Sequence, residues 1–322
     1  TYGPPVVGGE SADFLSINRN KRRCAVDLKS PAGRDLILRL ASVADVVIEN
    51  FRPGTMERLG LGFETLRQGN PRLLYCGVSG FGRTGPEASR PGYDLIIQGE
   101  SGVMDITGDA DGPPTKVGTS IADLVTGLYG AQAVLAALAQ RQKMGEGGRV
   151  DVSMLDALAS LLTFNAGMYF ASGASPKRRG NAHPTISPYE TFRASDGWFN
   201  LGVANDRFWA AFCGALERPD LLSDTRFARA SDRAAQRTEL KEILEPFFLA
   251  ETREHWTSLF GRAGIPCGAI RSVGEVCEAE QLADRGVARS LDHPAAGSVR
   301  YLASAVRDDE SPTPVERRPP ML

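Results

Sequence analysis

Three short aliphatic runs constrain this chain more than any other feature: residues 45–49 (DVVIE), 72–78 (RLLYCGV) and 149–153 (RVDVS). The first two have the β-branched, unbroken character of strands buried on both faces, and the third alternates like a half-buried strand. Helical patterns lie between them. Pro31 opens an amphipathic stretch that runs to Ala41, and proline is at home in a first helical turn. A second helix is predicted over residues 121–143, with Gly127, Gly130, Ala131, Ala133, Ala136 and Ala137 along it, small enough for close approach to a neighbour. It ends at Gly145-Glu146-Gly147-Gly148, a glycine-rich helix exit. Strands spaced by helices predict a parallel α/β sheet with right-handed crossovers. A further short strand is expected at residues 25–28.

After a Gly-, Pro-, Ser- and Arg-rich stretch at 172–184 the order changes. Residues 189–193 and 198–203 read as a hairpin turning through Ser195-Asp196-Gly197, and helices are expected at 206–216, 232–249 and 252–263. Strand-like pieces return from about His293. With 322 residues the chain is long enough for two domains. The expected division is a large domain over residues 1–175, rejoined by 291–322, and a small domain over 185–290, with 176–184 as linker.

Composition narrows the function classes. A formal net charge of −2 gives no global pull toward nucleic acid or an anionic membrane. The apolar stretches look interrupted well before the ~18 residues of a membrane span, so none is expected. The five cysteines are scattered without a C-x-x-C pair and read as buried thiols of a reducing compartment. His183, His255 and His293 are too far apart to suggest a metal site.

Three local features carry chemical possibilities. In Val152-Ser153-Met154-Leu155-Asp156-Ala157 a strand runs into a helix, with Asp156 in the first turn. An ionised carboxylate there is placed to attack an acyl carbon. The same Ser-x-x-Asp spacing is also that of a capping box. Spacing alone leaves both readings open. Residues 80–85 (GFGRTG) match G-x-G-x-x-G after a strand, but Pro86 and Arg90-Pro91-Gly92 follow where a nicotinamide-binding fold would open a helix. A loop that approaches some ligand closely fits better. Residues 18–23 (NRNKRR) place four cations before a strand, and Asn50-Phe51-Arg52-Pro53-Gly54 with Arg58 follows another strand. Together they suit a phosphate-bearing nucleotide, with Phe51 against its base.

These pieces stand in an order that resembles the class III CoA-transferases: NRNKR, ENFRPG, SGFGRTGP, RPGYD, an SG-V-M-ITG stretch, GRVDVSMLDA and GNAHPTISPY, from about Gly9 to Pro320. That family includes formyl-CoA:oxalate, carnitine and succinyl-CoA transferases and an α-methylacyl-CoA racemase. The resemblance implies a Rossmann-like large domain, a smaller α/β domain and an interlocked homodimer. It carries the catalytic aspartate onto Asp156 and the CoA-nucleotide pocket onto Lys21, Asn50, Phe51 and Arg58. Tyr93 and Asp94 fall in the segment beside the acyl group. It implies acyl-CoA and a carboxylic acid as substrates and no permanent cofactor. Charge and histidine spacing already lead one to expect no metal, no nucleic acid and no membrane partner, and the cytoplasm is the default location. It also implies a covalent course, with a mixed anhydride and then an aspartyl-CoA thioester on Asp156, and backbone N–H groups near the helix start as oxyanion donors.

Two departures bear on the substrate. Where formyl-CoA:oxalate transferases carry a run of glycines after GNA, this chain has His183-Pro184-Thr185-Ile186, closer to the dicarboxylate-using branch. Where racemases carry a histidine before the Asp of GYD, this chain has Tyr93, removing one of two bases needed for α-proton exchange. Acyl-CoA racemisation is therefore the weaker alternative within the family, and a nicotinamide oxidoreductase the alternative outside it.

Overall fold

The computed structural model describes residues 5–308, 311–312 and 317–321. Its contacts divide the chain into two compact units, one formed by residues 26–191 and 201–244, the other by 1–25, 192–200 and 245–322.

The first unit holds the parallel sheet that the strand runs predict. Its order is Val46–Glu49, Leu74–Ser79, Gly148–Ser153, with Val46 opposite Leu74, and Leu74 in turn opposite Gly148. The central strand is buried along Leu74, Tyr75, Cys76 and Gly77, as expected for a strand covered on both faces. The helix Pro31–Ala41 begins at Ser30, whose Oγ accepts the Gly33 N–H. Ala41, Met56, Leu61, Phe63, Leu66, Leu73 and Tyr75 form one core cluster, in which the Phe63 and Tyr75 rings meet edge to face at 5.9 Å. A second cluster joins Phe81, Ile97, Ala122, Met154 and Leu158, packing the helices Asp94–Glu100, Ile121–Met144 and Met154–Ala159 together.

The same unit contains the helices Asp206–Ala215, Ala230–Ala235 and the start of Arg237–Phe248. Arg233 is fully buried there. It donates to the Phe227 carbonyl at 3.0 Å, the Ser187 carbonyl at 3.3 Å and Asp206 Oδ1 at 2.8 Å, and it stacks over the Trp209 ring. Arg237 donates to the His183 carbonyl and, at 2.8 Å, to the Ile186 carbonyl. The helix expected over 232–249 is therefore two helices broken at Gln236, which turns both arginines onto the segment 183–187.

The second unit is built on aromatic packing of Phe192, Phe199, Phe248, Trp256 and Phe260, with Phe248 edge-on to Phe192, Phe199 and Trp256 at about 5 Å. Ala288–His293 and Gly297–Leu302 pair antiparallel within it, where returning strands are expected.

Three expectations are corrected. Residues 25–28 form no strand: the Asp27 side chain accepts the Lys29 N–H at 2.9 Å and its carbonyl accepts the Ser30 N–H at 3.2 Å, so this stretch turns into the helix cap instead of pairing. Of the five cysteines only Cys76 and Cys213 are buried; Cys24, just before that stretch, is exposed. Two helical segments, Ile121–Met144 and Met154–Ser172, are long and apolar enough to cross a membrane by length and composition. Gly, Ala, Thr and Ser separate the large apolar residues in these segments, and the charges (Asp123, Arg141, Lys143 and Asp156) fall near the segment ends, which is why the sequence looks broken there and the hydropathy does not.

Candidate functional site

Ser153 ends its strand in extended geometry, and its Oγ accepts the Asp156 N–H at 3.2 Å. That is the forward half of a capping box. The return half is absent here: the Asp156 carboxylate is exposed and has no hydrogen-bond partner among the described residues. The contrast is Ser272–Glu275 in the same chain, where the acid does reach back, to the Ser272 N–H at 2.6 Å. A capped helix start with an uncommitted carboxylate is an arrangement suited to nucleophilic attack. Buried Met154, Ala157 and Leu158 fix the helix beneath it.

The expected supply of oxyanion donors is smaller than the sequence suggests. The Leu155 N–H is bonded to the Gly80 carbonyl at 2.9 Å and the Asp156 N–H to Ser153, so two donors of the first turn are already occupied. The Leu155–Gly80 bond does position the glycine loop. Residues 80–93 form an irregular loop, and the next helix begins only at Asp94, so the helix that a dinucleotide fingerprint requires is missing. Gly80 and Gly92 cross backbone to backbone; a Cβ on Gly80 would lie 2.7 Å from the Gly92 Cα. Gly82, at φ +86°, passes over Ser153. The loop therefore folds back beside the start of the Asp156 helix.

Tyr93 immediately precedes the helix Asp94–Glu100 and is 75% exposed. Asp94 does different work. Its Oδ1 accepts the Ala122 N–H at 2.9 Å and its Oδ2 accepts from Gln98 at 2.8 Å, so it caps the helix Ile121–Met144, whose own Ser120 makes no side-chain cap. Burial, and then the Asp94 charge, raise the neighbouring Asp123 carboxyl above its ordinary value.

Asn50 and Phe51 sit at the C-terminal end of the strand Val46–Glu49, and both are exposed. Arg58, also exposed, donates to Thr55 Oγ1 at 2.8 Å. What shapes this loop is Glu49, which sequence reading passes over. The Glu49 carboxylate accepts the Phe51 N–H at 2.8 Å, the Tyr75 hydroxyl at 3.0 Å and Arg83 Nη1 at 3.1 Å; the two ion-paired side chains are 5% and 11% exposed. Arg83 also pairs with Glu57, and its backbone N–H donates to Asp151 Oδ2 at 3.1 Å. Burial and the Glu49 charge raise the Tyr75 phenol well above its ordinary value, so it remains a donor. This network ties the loop carrying Asn50 and Phe51 to the loop that borders Asp156. The available signal was an acid at the last position of a buried strand, with an arginine inside the next loop.

Lys21 belongs to the other unit, where Nζ donates to Asn18 Oδ1 at 3.0 Å. Among the described residues no three His, Cys, Asp or Glu side chains gather as metal ligands.

Comparison with known proteins adds to this geometry. The family model described as CoA-transferase family III matches residues 1–322. The succinyl-CoA:glutarate CoA-transferase of Mus musculus is 37% identical over 322 residues, covering 100% of this chain and 74% of that protein. The acetyl-CoA:oxalate CoA-transferase of Acetobacter aceti is 40% identical over 288 residues, covering 89% of this chain and 74% of that protein. The crystal structure of a CAIB/BAIF family protein from Brucella suis superposes with a TM-score of 0.89 at 40% identity, covering 100% of this chain and 85% of that one.

Proposed function

The chain belongs to CoA-transferase family III and is a CoA-transferase, and on that premise we propose that Asp156 is its covalent nucleophile. The observation that carries this reading is the free Asp156 carboxylate on a helix start already capped by Ser153.

The Asp156 carboxylate attacks the thioester carbonyl of the donor, forming a C–O bond as the C–S bond breaks. CoA leaves as thiolate, and a mixed anhydride remains on Asp156. The thiolate then attacks the Asp156 carbonyl carbon and releases the donor acid, leaving an aspartyl-CoA thioester. The acceptor carboxylate attacks that thioester, and the returning thiolate takes up the acceptor acyl group, which regenerates Asp156. Each step exchanges one acyl bond for another, so the thioester's energy is kept as long as water is excluded.

Asn50, Phe51 and Arg58 are the groups we assign to the nucleotide end of CoA, as is Lys21; the exposed ring of Phe51 and the cations suit a base and phosphates. Tyr93 borders the acyl group, and Asp94 acts there by fixing the helices rather than by touching substrate. For the acceptor we propose a dicarboxylic acid, with succinyl-CoA as donor. The names of the glutarate and oxalate relatives share that class, and the His183–Ile186 stretch favours the longer acid.

A second copy of the chain is proposed to cover the apolar faces of the helices Ile121–Met144 and Thr163–Ser172, where Leu128 is 71% and Phe170 81% exposed. A homodimer in the cytoplasm accounts for those faces. Dimers in detergent-free buffer support that reading; a protein that stays monomeric, or leaves solution without detergent, refutes it.

The test of the nucleophile is direct. The protein is incubated with succinyl-CoA, quenched with hydroxylamine or borohydride, and the peptide spanning residues 150–162 is mapped by mass spectrometry. Modification of Asp156 is the expected result. Several acyl-CoA donors that all leave Asp156 unmodified would return it to the helix start alone.

A further inference from the structure

In the unit formed by residues 1–25, 192–200 and 245–322, the turn at 18–21 meets residues 317–321. Asn20 stands in the left-handed region at φ +61° and clasps Arg317 in both directions. The Asn20 N–H donates to the Arg317 carbonyl at 2.9 Å, and Asn20 Oδ1 accepts the Arg317 N–H at 2.8 Å. Beside this clasp, Lys21, Arg317, Arg318, Pro319, Pro320 and Met321 line a cleft of ≈ 410 Å³.

Among the described residues the cations of this cleft have no counter-charge. Among the described residues, Lys21 Nζ bonds only to the neutral Asn18 side chain, and neither Arg317 nor Arg318 has a carboxylate partner. Other arginines of the unit differ: Arg253 pairs with Glu275 at 3.1 Å and Arg300 with Glu278 at 2.5 Å. Arg19 is engaged as well, with its guanidinium over the Tyr301 ring at 4.8 Å. Three cations around one cleft repel one another, and a multiply charged anion relieves that repulsion best. Two guanidinium forks and an ammonium match the oxygens of a phosphate. Adjacent prolines restrict the backbone of the wall.

We propose that this cleft is a phosphate-binding site, taking a phosphate monoester or diphosphate group between Lys21, Arg317 and Arg318. Two sources carry that chemistry: the nucleotide end of CoA, or a free phosphate compound. Assigning the CoA source rests on the function proposed above, whereas the site itself does not.

The experiment titrates the full chain with pyrophosphate by calorimetry and measures KM for acyl-CoA and for acyl-pantetheine, which lacks the nucleotide. Arg317→Gln/Arg318→Gln is expected to weaken pyrophosphate binding by about a hundredfold, roughly tenfold for each charge-assisted contact. Arg317→Lys/Arg318→Lys retains most of the binding and controls for folding. If CoA is the source, the Gln variant raises KM for acyl-CoA but not for acyl-pantetheine, at constant kcat. If pyrophosphate binding falls while both KM values hold, the site serves a free phosphate compound. Wild-type protein that does not bind pyrophosphate, or a Gln variant that binds it equally well, overturns the proposal. A protein that binds pyrophosphate yet transfers no CoA would refute the proposed function and leave the site standing.

Discussion

Replacing Glu49 with glutamine should loosen the junction between the two loops without changing side-chain size. The carboxylate serves three donors at once, Phe51 N–H, Tyr75 OH and Arg83, from a nearly fully buried position. Glutamine keeps one carbonyl oxygen and turns an NH₂ toward a group that is itself a donor. Hydrogen bonds to a charged group are worth about 1.5–3 kcal/mol each, and leaving a buried donor unmet carries a penalty of similar size. Arg83 keeps its pairing with Glu57, which softens the loss. The expected destabilisation is about 3 kcal/mol, or a fall in Tm of about 4–5 °C for a protein of this size. Thermal unfolding by circular dichroism measures it. A Glu49→Gln/Arg83→Gln double-mutant cycle should give a coupling of about 2 kcal/mol. In the assay, KM for acyl-CoA should rise about tenfold as the Asn50–Phe51 loop loses its anchor, a loss of about 1.4 kcal/mol in binding. A Tm within about 2 °C of wild type, together with a coupling near zero, would refute the reasoning.

Asp156→Asn should abolish transfer in a coupled acyl-CoA assay while changing stability by less than about 1 kcal/mol, because its carboxylate is exposed and makes no hydrogen bond among the described residues. Ser153→Ala, by contrast, should cost about 1 kcal/mol of unfolding free energy through loss of the cap. Arg233→Leu should destabilise by about 3 kcal/mol in urea unfolding, since two buried carbonyls lose their donor. Burial pushes the Cys213 thiol up to about 11, against a smaller lowering by Arg233. The unfolded thiol therefore ionises first, and the stability contributed by the protonated folded form declines from about pH 9 to about pH 11. Cys213→Ala should lose less stability than wild type across that window, by about 2 kcal/mol in pH-dependent unfolding.

Much of this was legible in the chain itself, for reasons that can be traced. The helices Pro31–Ala41 and Ile121–Met144 carry their own start or stop signals, Pro31 near one end and Gly145 at the other. The parallel strands are marked by β-branched runs, and residues 80–93 by glycines and prolines that no helix would tolerate. Asp156 was read as either cap or nucleophile, and the two functions separate between residues: Ser153 caps, and Asp156 is left free. What stayed hidden depends on distant partners. Glu49 and Arg83 are 34 positions apart, and nothing local to either predicts their pairing. The capping role of Asp94 rests on Ala122, 28 positions away, whose N–H it accepts. Residues 25–28 have the composition of a strand but no strand alongside to pair with, a condition that composition cannot reveal.

The Asn20–Arg317 clasp joins residues 297 positions apart. A ribosome adding about 5–20 residues per second needs roughly 15–60 s to span that interval. Through that time the segment around residues 18–21 exists without the partner that completes it. The parallel sheet needs only residues up to 153 and can form long before. Synthesis therefore imposes an order on this molecule: the sheet and the Asp156 turn can form first, and the cationic cleft only once residue 317 and those after it have emerged.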